Sequence, residues 1–194
     1  MKELVIRPEK EADYNNICNL VAESFSSATH TDGDEHNLVD RIRKTDDYIP
    51  ELSLVAVCDG RMVGYVMMSR IYVGCRIALA LIPLAELPEF QNKGIGSCLV
   101  KEAHKSAVAL GYGVSVILGV PAYYSRFGYA NANAFGIKPP FEVQDDYFMA
   151  CKLDDNFPTP SGIVEYSKAF GLYSSAGHSS EMPGFRVGQT NSAA

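Results

Sequence analysis

A pair of closely spaced glycines is the first feature of the sequence that could form a binding site. The pair lies where an apolar run ends and a helical pattern begins. The apolar run ends at Pro88, and Gly94 and Gly96 open a segment with helical spacing. Because glycine has no side chain, an anion can approach the backbone N–H groups of the first helical turn, which have no partner within the helix. Such a turn binds phosphate groups. A glycine pair can also serve only close packing, so the rest of the chain has to distinguish the two interpretations.

Two well-known phosphate-binding fingerprints do not fit this segment. The dinucleotide-binding fingerprint needs glycine or alanine three residues after Gly96, where this chain has Leu99. The Walker A loop needs Gly-Lys followed by Ser or Thr, and the sequence contains no such run. We therefore exclude these two nucleotide-binding classes.

Other catalytic centres find little support in the sequence. Gly113-Val114-Ser115-Val116-Ile117 has the first half of a nucleophile elbow but lacks its closing glycine, which disfavours a serine hydrolase. The cysteines are odd in number and far apart, and we interpret them as reduced thiols. The histidines show no metal-ligand spacing with them, so we predict no metal site.

Composition limits the class of protein and its partners. The chain has 194 residues, of which 47% are hydrophobic, enough for one sizeable core. A net charge of -6 disfavours non-specific nucleic-acid binding and favours cationic or amine partners. The sequence has no leader pattern and no apolar run long enough to cross a bilayer. We therefore expect a cytoplasmic protein with no membrane partner, and leave a homodimer open.

The elements around the glycines follow the order β, α, α, β, β, β, α, β, α, β, β, which predicts a mixed sheet flanked by helices. Asp59-Gly60 predicts a tight hairpin between the second and third strands. After the glycines, an apolar helical face ends at Gly111, and the apolar strand 114–118 follows. Strand, helix and strand in succession imply a βαβ crossover.

The composition changes after about Asp155. Pro158, Pro160 and Gly162 come first, and 174–194 is rich in Ser, Gly and Ala. We predict one domain at 1–153 and a C-terminal extension at 154–194 that is mobile or loosely packed.

Three runs in this order of elements resemble a known family. The run Gln91-Asn92-Lys93-Gly94-Ile95-Gly96, after the strand that ends Leu84-Ala85-Glu86-Leu87-Pro88, resembles the acyl-CoA loop of the GNAT superfamily of N-acetyltransferases. The runs Pro121-Ala122-Tyr123-Tyr124-Ser125-Arg126-Phe127-Gly128-Tyr129 and Pro140-Phe141-Glu142-Val143 resemble the predicted acetyltransferases of the YhbS type. The resemblance covers most of 3–153. It implies an α/β (mixed α+β) GNAT-type fold, with a mostly antiparallel sheet flanked by helices, and acetyl-CoA as co-substrate.

The resemblance also implies where the co-substrate binds. The strand before the loop splays from its neighbour in GNAT enzymes, and its free backbone groups bind the pantetheine arm. The matching residues here are Leu84, Ala85 and Glu86. The pyrophosphate would bind to the backbone amides of Asn92, Lys93, Gly94, Ile95, Gly96 and Ser97.

The family carries a tyrosine in the short helix after the fifth strand, and Tyr124 matches it. When an amine attacks the thioester, coenzyme A has to leave as a thiol or thiolate. A phenol with an ordinary pKa of about 10 is protonated at neutral pH and can donate to the departing sulfur. The resemblance therefore makes Tyr124 the candidate general acid. The alternative is that its ring only packs on the helix, which is our expectation for Tyr123.

A general base is harder to find. Glu86 stands where the family usually has valine, and it could be a base, a selectivity charge or an edge residue that faces solvent. Ordered water could take the proton instead. Two departures from the family pattern, a missing asparagine after the fifth strand and Val120 in place of a polar residue, put the choice of acceptor in doubt.

The acceptor itself has no recognisable code in the sequence. A cluster of acidic residues and histidine could line an amine pocket, or could simply begin a solvated helix: Asp32, Asp34, Glu35 and His36. The leading hypothesis is an N-acyltransferase that moves an acetyl group from acetyl-CoA to a primary amine of a small molecule or protein. The alternative is a non-catalytic acyl-CoA sensor or interaction module.

Overall fold

One mixed β-sheet organises the computed structural model, which describes residues 3–26 and 33–172. Within these ranges the strands are β1 (Leu4–Pro8), β2 (Ser53–Cys58), β3 (Arg61–Val73), β4 (Arg76–Glu86), β5 (Val114–Leu118), β6 (Ala130–Asn131), β7 (Ile137–Lys138), β8 (Phe148–Lys152) and β9 (Gly162–Glu165). The α-helices of the same ranges are α1 (Tyr14–Phe25), α2 (Glu35–Ile42), α3 (Ile95–Ala109) and α4 (Pro121–Tyr124).

The strands run in the spatial order β1-β2-β3-β4-β5-β8-β6, and β9 pairs with the end of β3 and with β7. Strands β2, β3 and β4 form an antiparallel meander, and β1 pairs antiparallel with β2. Asp59 and Gly60 both have positive φ, 51° and 80°, as a tight two-residue hairpin requires. Strand β5 pairs in parallel with β4, as the predicted βαβ crossover requires, and antiparallel with β8. The predicted mixed, mostly antiparallel sheet is confirmed.

Helices cover both faces of the sheet. Helices α1 and α2 pack on one face, where Ile17, Leu20 and Val21 of α1 are buried. Helix α3 packs on the other face and ends at Gly111, whose φ of 86° confirms the predicted helix stop. At Gly64 of β3 the helix comes close to the sheet, because a Cβ there would lie 3.0 Å from Leu99.

Asp13 holds the start of α1 through contacts of its side chain with residues that precede the helix. The Asp13 carboxylate accepts a hydrogen bond from the Lys10 N–H at 2.8 Å and forms an ion pair with Arg7 at 2.6 Å. A short 3₁₀ turn, Glu11–Asp13, precedes the α-helix as a result. Asp13 therefore ties the helix start to β1 and does not cap the first turn of α1.

Strands β4 and β5 separate soon after they meet. Their pairing is confined to Leu79 with Ser115 and Ala80 with Val116. On its other side, β4 stays paired with β3 as far as Glu86. The backbone of 81–86 therefore faces an opening on the β5 side, and this opening leads directly to the beginning of α3.

Part of the C-terminal extension belongs to the packed fold, and this corrects our expectation of loose packing. Strand β9 pairs antiparallel with Tyr72 and Val73 of β3 and parallel with β7. Val164, Tyr166 and Phe170 are buried in the same core as α1 and α2. Ile163-Val164 is too short an apolar run to stand out after two prolines. Residues 173–194 lie outside the described part of the chain, and the division of the chain at 153 stays a prediction.

Candidate active site

The loop between β4 and α3 presents free backbone donors at the opening. Asn92 and Gly94 both have positive φ, 59° and 82°, and they turn the chain so that Gly94 precedes the helix. No side chain caps α3, and the first regular helical hydrogen bond runs from the Cys98 N–H to the Gly94 carbonyl. The N–H groups of 95–97 therefore have no partner within the helix and lie at its positive end, where an anion can bind, and the Gly96 N–H faces the Glu86 carboxylate.

The loop side chains turn away from these donors. Lys93 Nζ donates to the Glu89 carbonyl at 2.6 Å, and the Glu89 carboxylate pairs with Arg61 at 2.6 Å. Gln91 Nε2 reaches back to the Glu86 carbonyl at 3.4 Å. An anion at this loop would therefore meet main chain first.

Tyr124 lies where β5 leads into α4. Its ring packs on Gly119, where a Cβ would stand only 2.5 Å from the ring, and it meets Tyr129 edge-on at 5.8 Å. Burial, together with the neighbouring Tyr123 and Glu86, raises the pKa of the Tyr124 phenol above its ordinary value. The phenol therefore stays protonated over the physiological range and can donate a hydrogen bond.

Glu86 is buried, with 7% of its surface exposed, so the interpretation as a solvent-facing edge residue is wrong. Along β4 the side chains alternate: Ala85 packs with the α1 and α2 core, and Leu84 packs with the α3 core. Glu86 Oε1 lies 2.2 Å from the position that a Cβ on Gly96 would take. The carboxylate thus points at the first turn of α3.

The hydroxyl of Tyr123 converges on the same point. It lies 2.6 Å from the Cβ position of Gly96, although we expected this ring only to pack. Within the described residues, neither the Tyr123 hydroxyl nor Glu86 Oε2 makes a hydrogen bond of good geometry, and both atoms are buried. Arg126 places its guanidinium 3.9 Å above the Tyr123 ring. The contact between Tyr123 and Arg126 could have been predicted from the sequence, because the two residues are three positions apart in a helical segment.

Electrostatics distinguish Glu86 from an ordinary surface carboxylate. Burial raises the pKa of the Glu86 carboxyl, whereas the Gly96 N–H and the Arg126 guanidinium act in the opposite direction. Burial and the Glu86 carboxylate also raise the pKa of Tyr123. The beginning of α3 therefore already holds one carboxyl group and one protonated phenol.

The described residues of the acidic cluster lie at the start of α2. Asp34 forms an ion pair with Arg41 at 2.6 Å and accepts a hydrogen bond from Asn37 at 2.9 Å. These contacts favour the interpretation as a helix start. Asp32 lies outside the described residues.

Ser115, the candidate for half a nucleophile elbow, is fully buried in β5. Its hydroxyl bonds with that of Tyr129 at 2.7 Å, and Tyr129 in turn meets His104 at 3.0 Å. Among the residues that the structure describes, no cluster of His, Cys, Asp and Glu could hold a metal ion. No helix in that part of the chain has the length and apolarity needed to cross a membrane.

Comparison with known proteins gives one consistent family. Residues 50–131 match the family model described as an acetyltransferase (GNAT) domain. The uncharacterized N-acetyltransferase YhbS of Escherichia coli K12 is 32% identical over 174 residues, which are 88% of this chain and all of the relative. The uncharacterized N-acetyltransferase YjhQ of the same strain is 27% identical over 139 residues, covering 70% of this chain and 66% of the relative.

Solved structures that resemble this chain belong to the same family. The E. coli YhbS crystal structure in complex with CoA has a TM-score of 0.79 at 29% identity, covering 92% of this chain and 97% of that one. A GNAT family acetyltransferase from Brucella melitensis in complex with acetyl-CoA has a TM-score of 0.71 at 27% identity, covering 87% and 98%. The predicted GNAT fold and the resemblance to YhbS are confirmed, and acetyl-CoA as co-substrate agrees with these complexes. The chain belongs to the GNAT family of N-acetyltransferases.

Proposed function

We propose that the protein transfers an acetyl group from acetyl-CoA to a primary amine by direct attack, with Tyr124 as the general acid. One observation carries the proposal: β4 and β5 separate toward an uncapped helix start, beside a buried, protonated phenol. The opening offers backbone groups along its length and free N–H donors at its end. The relatives solved with CoA and acetyl-CoA support the choice of co-substrate.

The proposed binding residues divide between the two parts of the opening. The backbone of Leu84, Ala85 and Glu86 faces the β5 side and would hold the pantetheine arm. The amides of Asn92 to Ser97 would hold the pyrophosphate, and those of Ile95, Gly96 and Ser97 are the ones that α3 leaves free. Because the main chain supplies most of these contacts, the side chains at several of these positions need only be small enough for the ligand to approach the backbone.

Acetyl-CoA supplies an activated acyl group as a thioester, and its coenzyme must leave with a proton on sulfur. Tyr124 is suited to donate that proton because burial keeps its hydroxyl protonated. Glu86 is poorly placed as a general base, since its carboxylate points toward α3. Water is therefore our candidate for removing the proton of the attacking amine.

Turnover tests the role of Tyr124. We expect wild-type protein to release free thiol from acetyl-CoA with at least one member of a panel of primary amines. Tyr124→Phe should lower kcat by roughly 10²-fold or more while changing KM for acetyl-CoA little, because a general acid acts in the transition state. Tyr112→Phe is the matched control, since that tyrosine bonds with Arg70 elsewhere in the molecule.

Binding tests the cofactor site separately. Gly94→Asp should abolish acetyl-CoA binding in calorimetry, because it forces a side chain into a left-handed position and adds negative charge at the anion site. Failure of wild-type protein to bind acetyl-CoA would refute the proposed site. Binding without thiol release for any amine would instead favour the non-catalytic sensor.

A further inference from the structure

Glu86 creates a conflict at the proposed pyrophosphate site, on which the following inference rests. Glu86 and Tyr123 are 7% and 8% exposed, and both aim polar atoms at Gly96. Their Oε2 and hydroxyl atoms are buried without a well-formed hydrogen bond in the described part of the chain. Two buried polar atoms without a well-formed hydrogen bond, both at the start of a helix, indicate a ligand that would satisfy both.

An ionised Glu86 and a pyrophosphate compete for the same donors. A carboxylate is stabilised at a helix N-terminus, but a second anion beside it is repelled. The Gly96 N–H already faces the carboxylate, and both groups only accept hydrogen bonds when charged. Ionised Glu86 therefore opposes the ligand that the loop geometry favours.

The charged and titratable groups around Glu86 come from α3, from α4 and from the turn after α4. From α4 and the turn after it come the phenols Tyr123 and Tyr124 and the guanidinium of Arg126. From α3 come the Gly96 amide and the Ser97 hydroxyl, which lies near Tyr123. Lys93 of the loop and Arg61 of β3 are engaged with Glu89. Arg126 is thus the cation that acts on Glu86.

Protonation resolves the conflict. A neutral carboxyl group carries one O–H donor, which can donate to a phosphate oxygen, and the Tyr123 hydroxyl can donate to the same anion. Burial already favours the neutral form of Glu86, which makes protonation accessible.

We propose that Glu86 takes up one proton from solvent when an acyl-CoA pyrophosphate binds at the beginning of α3, and releases it when coenzyme A leaves. The proton converts Glu86 from a competing acceptor into a donor to the ligand. Acyl-CoA affinity is therefore linked to pH through one buried side chain.

Calorimetry measures the number of protons that the protein takes up when acetyl-CoA binds. Acetyl-CoA is titrated into full-length protein in two buffers of different ionisation enthalpy, at several pH values from about 5.5 to 8.5, all above the ordinary carboxyl pKa of about 4.3. Wild-type protein should take up protons on binding. Its affinity should fall by up to about tenfold per pH unit where the free carboxyl is ionised and the bound one is not.

Three variants make the test specific. Glu86→Gln should lose this uptake and keep its affinity at high pH, since its amide also donates. Glu86→Val removes charge and donor together and should likewise lose the uptake. Glu89→Gln is the matched control: it removes an exposed, ion-paired carboxylate of the same loop and should keep the wild-type proton count. Titration of the ligand's own phosphates cancels in these differences.

The outcomes separate the two proposals. Equal proton uptake by wild-type and both folded Glu86 variants, checked by circular dichroism, overturns the role of Glu86 and leaves the acyl-CoA site standing. No acetyl-CoA binding by wild-type protein overturns both. Loss of uptake in the Glu86 variants, with uptake retained in Glu89→Gln, supports the proton link.

Discussion

Tyr123 and Tyr124 are adjacent in α4 but contact different residues, because successive side chains on a helix point in different directions. Tyr123 directs its hydroxyl toward Gly96, and Tyr124 lays its ring on Gly119. The two rings pack edge-on, with their centroids 4.8 Å apart. Gly119 therefore determines where the candidate acid sits, although it contributes no chemical group.

Gly119→Ala tests this dependence. The added methyl group would fall 2.5 Å from the Tyr124 ring, so the ring has to shift. We expect a loss of about 1–3 kcal/mol in the free energy of unfolding, as in other overpacked cores, and a fall in kcat. Chemical denaturation and the thiol-release assay measure the two effects.

Val120→Ala serves as the control for Gly119→Ala, because Val120 is exposed and next in the chain. It should leave both quantities close to wild type. An unchanged kcat in Gly119→Ala would show that the position of the Tyr124 ring does not limit turnover.

The spacing of the glycines suggested an anion-binding helix start, because a helix start is a local property, and the resemblance to the GNAT loop was needed to prefer that interpretation over close packing. The sequence could not predict which way the Glu86 side chain points. Strand alternation says that Leu84 and Glu86 share a face, but only the packed sheet shows that α3 covers that face. Tyr123 was missed for the same reason, since its partner Gly96 lies on another element.

At the scale of elements, the site exists because two parallel strands share only a short stretch of pairing. Strand β5 turns toward β8, to which it is paired along its whole length, while β4 follows β3 to Glu86. The long, periodic elements were predictable from their patterns. Strands β6, β7 and β9 were not, because each has two to four residues and owes its conformation to a distant partner.

Phe170 provides a test of the extension as part of the fold. It is 1% exposed and packs against Tyr166 with ring centroids 4.7 Å apart. Phe170→Ala should lower the free energy of unfolding by about 3–5 kcal/mol, because it leaves a cavity in the core shared with α1 and α2. Urea denaturation followed by circular dichroism measures the change.

Ile163→Ala is the matched control in the same extension, since Ile163 is 57% exposed. We expect it to cost much less than Phe170→Ala. Equal small losses in both variants would contradict the packing of residues 162–170 against the core.

At the scale of the whole molecule, stability should depend on pH through a buried polar chain between α3 and the sheet. His104 of α3 meets the Tyr129 hydroxyl at 3.0 Å, and Tyr129 meets Ser115 of β5 at 2.7 Å. Burial lowers the pKa of His104 to about 4. The folded protein therefore keeps this histidine neutral where the unfolded chain, with a pKa of about 6.5, already binds a proton.

The sign of the effect follows from this difference. Between about pH 6.5 and pH 4 the unfolded state binds more protons at His104, so stability falls as pH falls. The contribution is fully present above pH 6.5, and the loss toward pH 4 is on the order of 2–3 kcal/mol. Denaturation midpoints across this range should show it.

His104→Gln removes the titration and can still bond with Tyr129, so its stability should vary less over the same pH range. The wild-type minus variant difference isolates His104 from carboxylates such as Asp13, whose pKa is lowered by Arg7. Parallel curves for the two proteins would rule out the histidine as the source.

The packing of residues 162–170 against the core also affects how the chain folds. Arg41 Nε donates to the Ala169 carbonyl at 2.8 Å, a bond between residues 128 positions apart in the chain. During synthesis, the core beneath α1 and α2 stays incomplete until Phe170 has emerged, even though both helices are made early. Contacts of such long sequence separation slow folding. Nascent chains of this protein should therefore expose apolar surface until almost the whole described fold has been made, and would be substrates for chaperones during that interval.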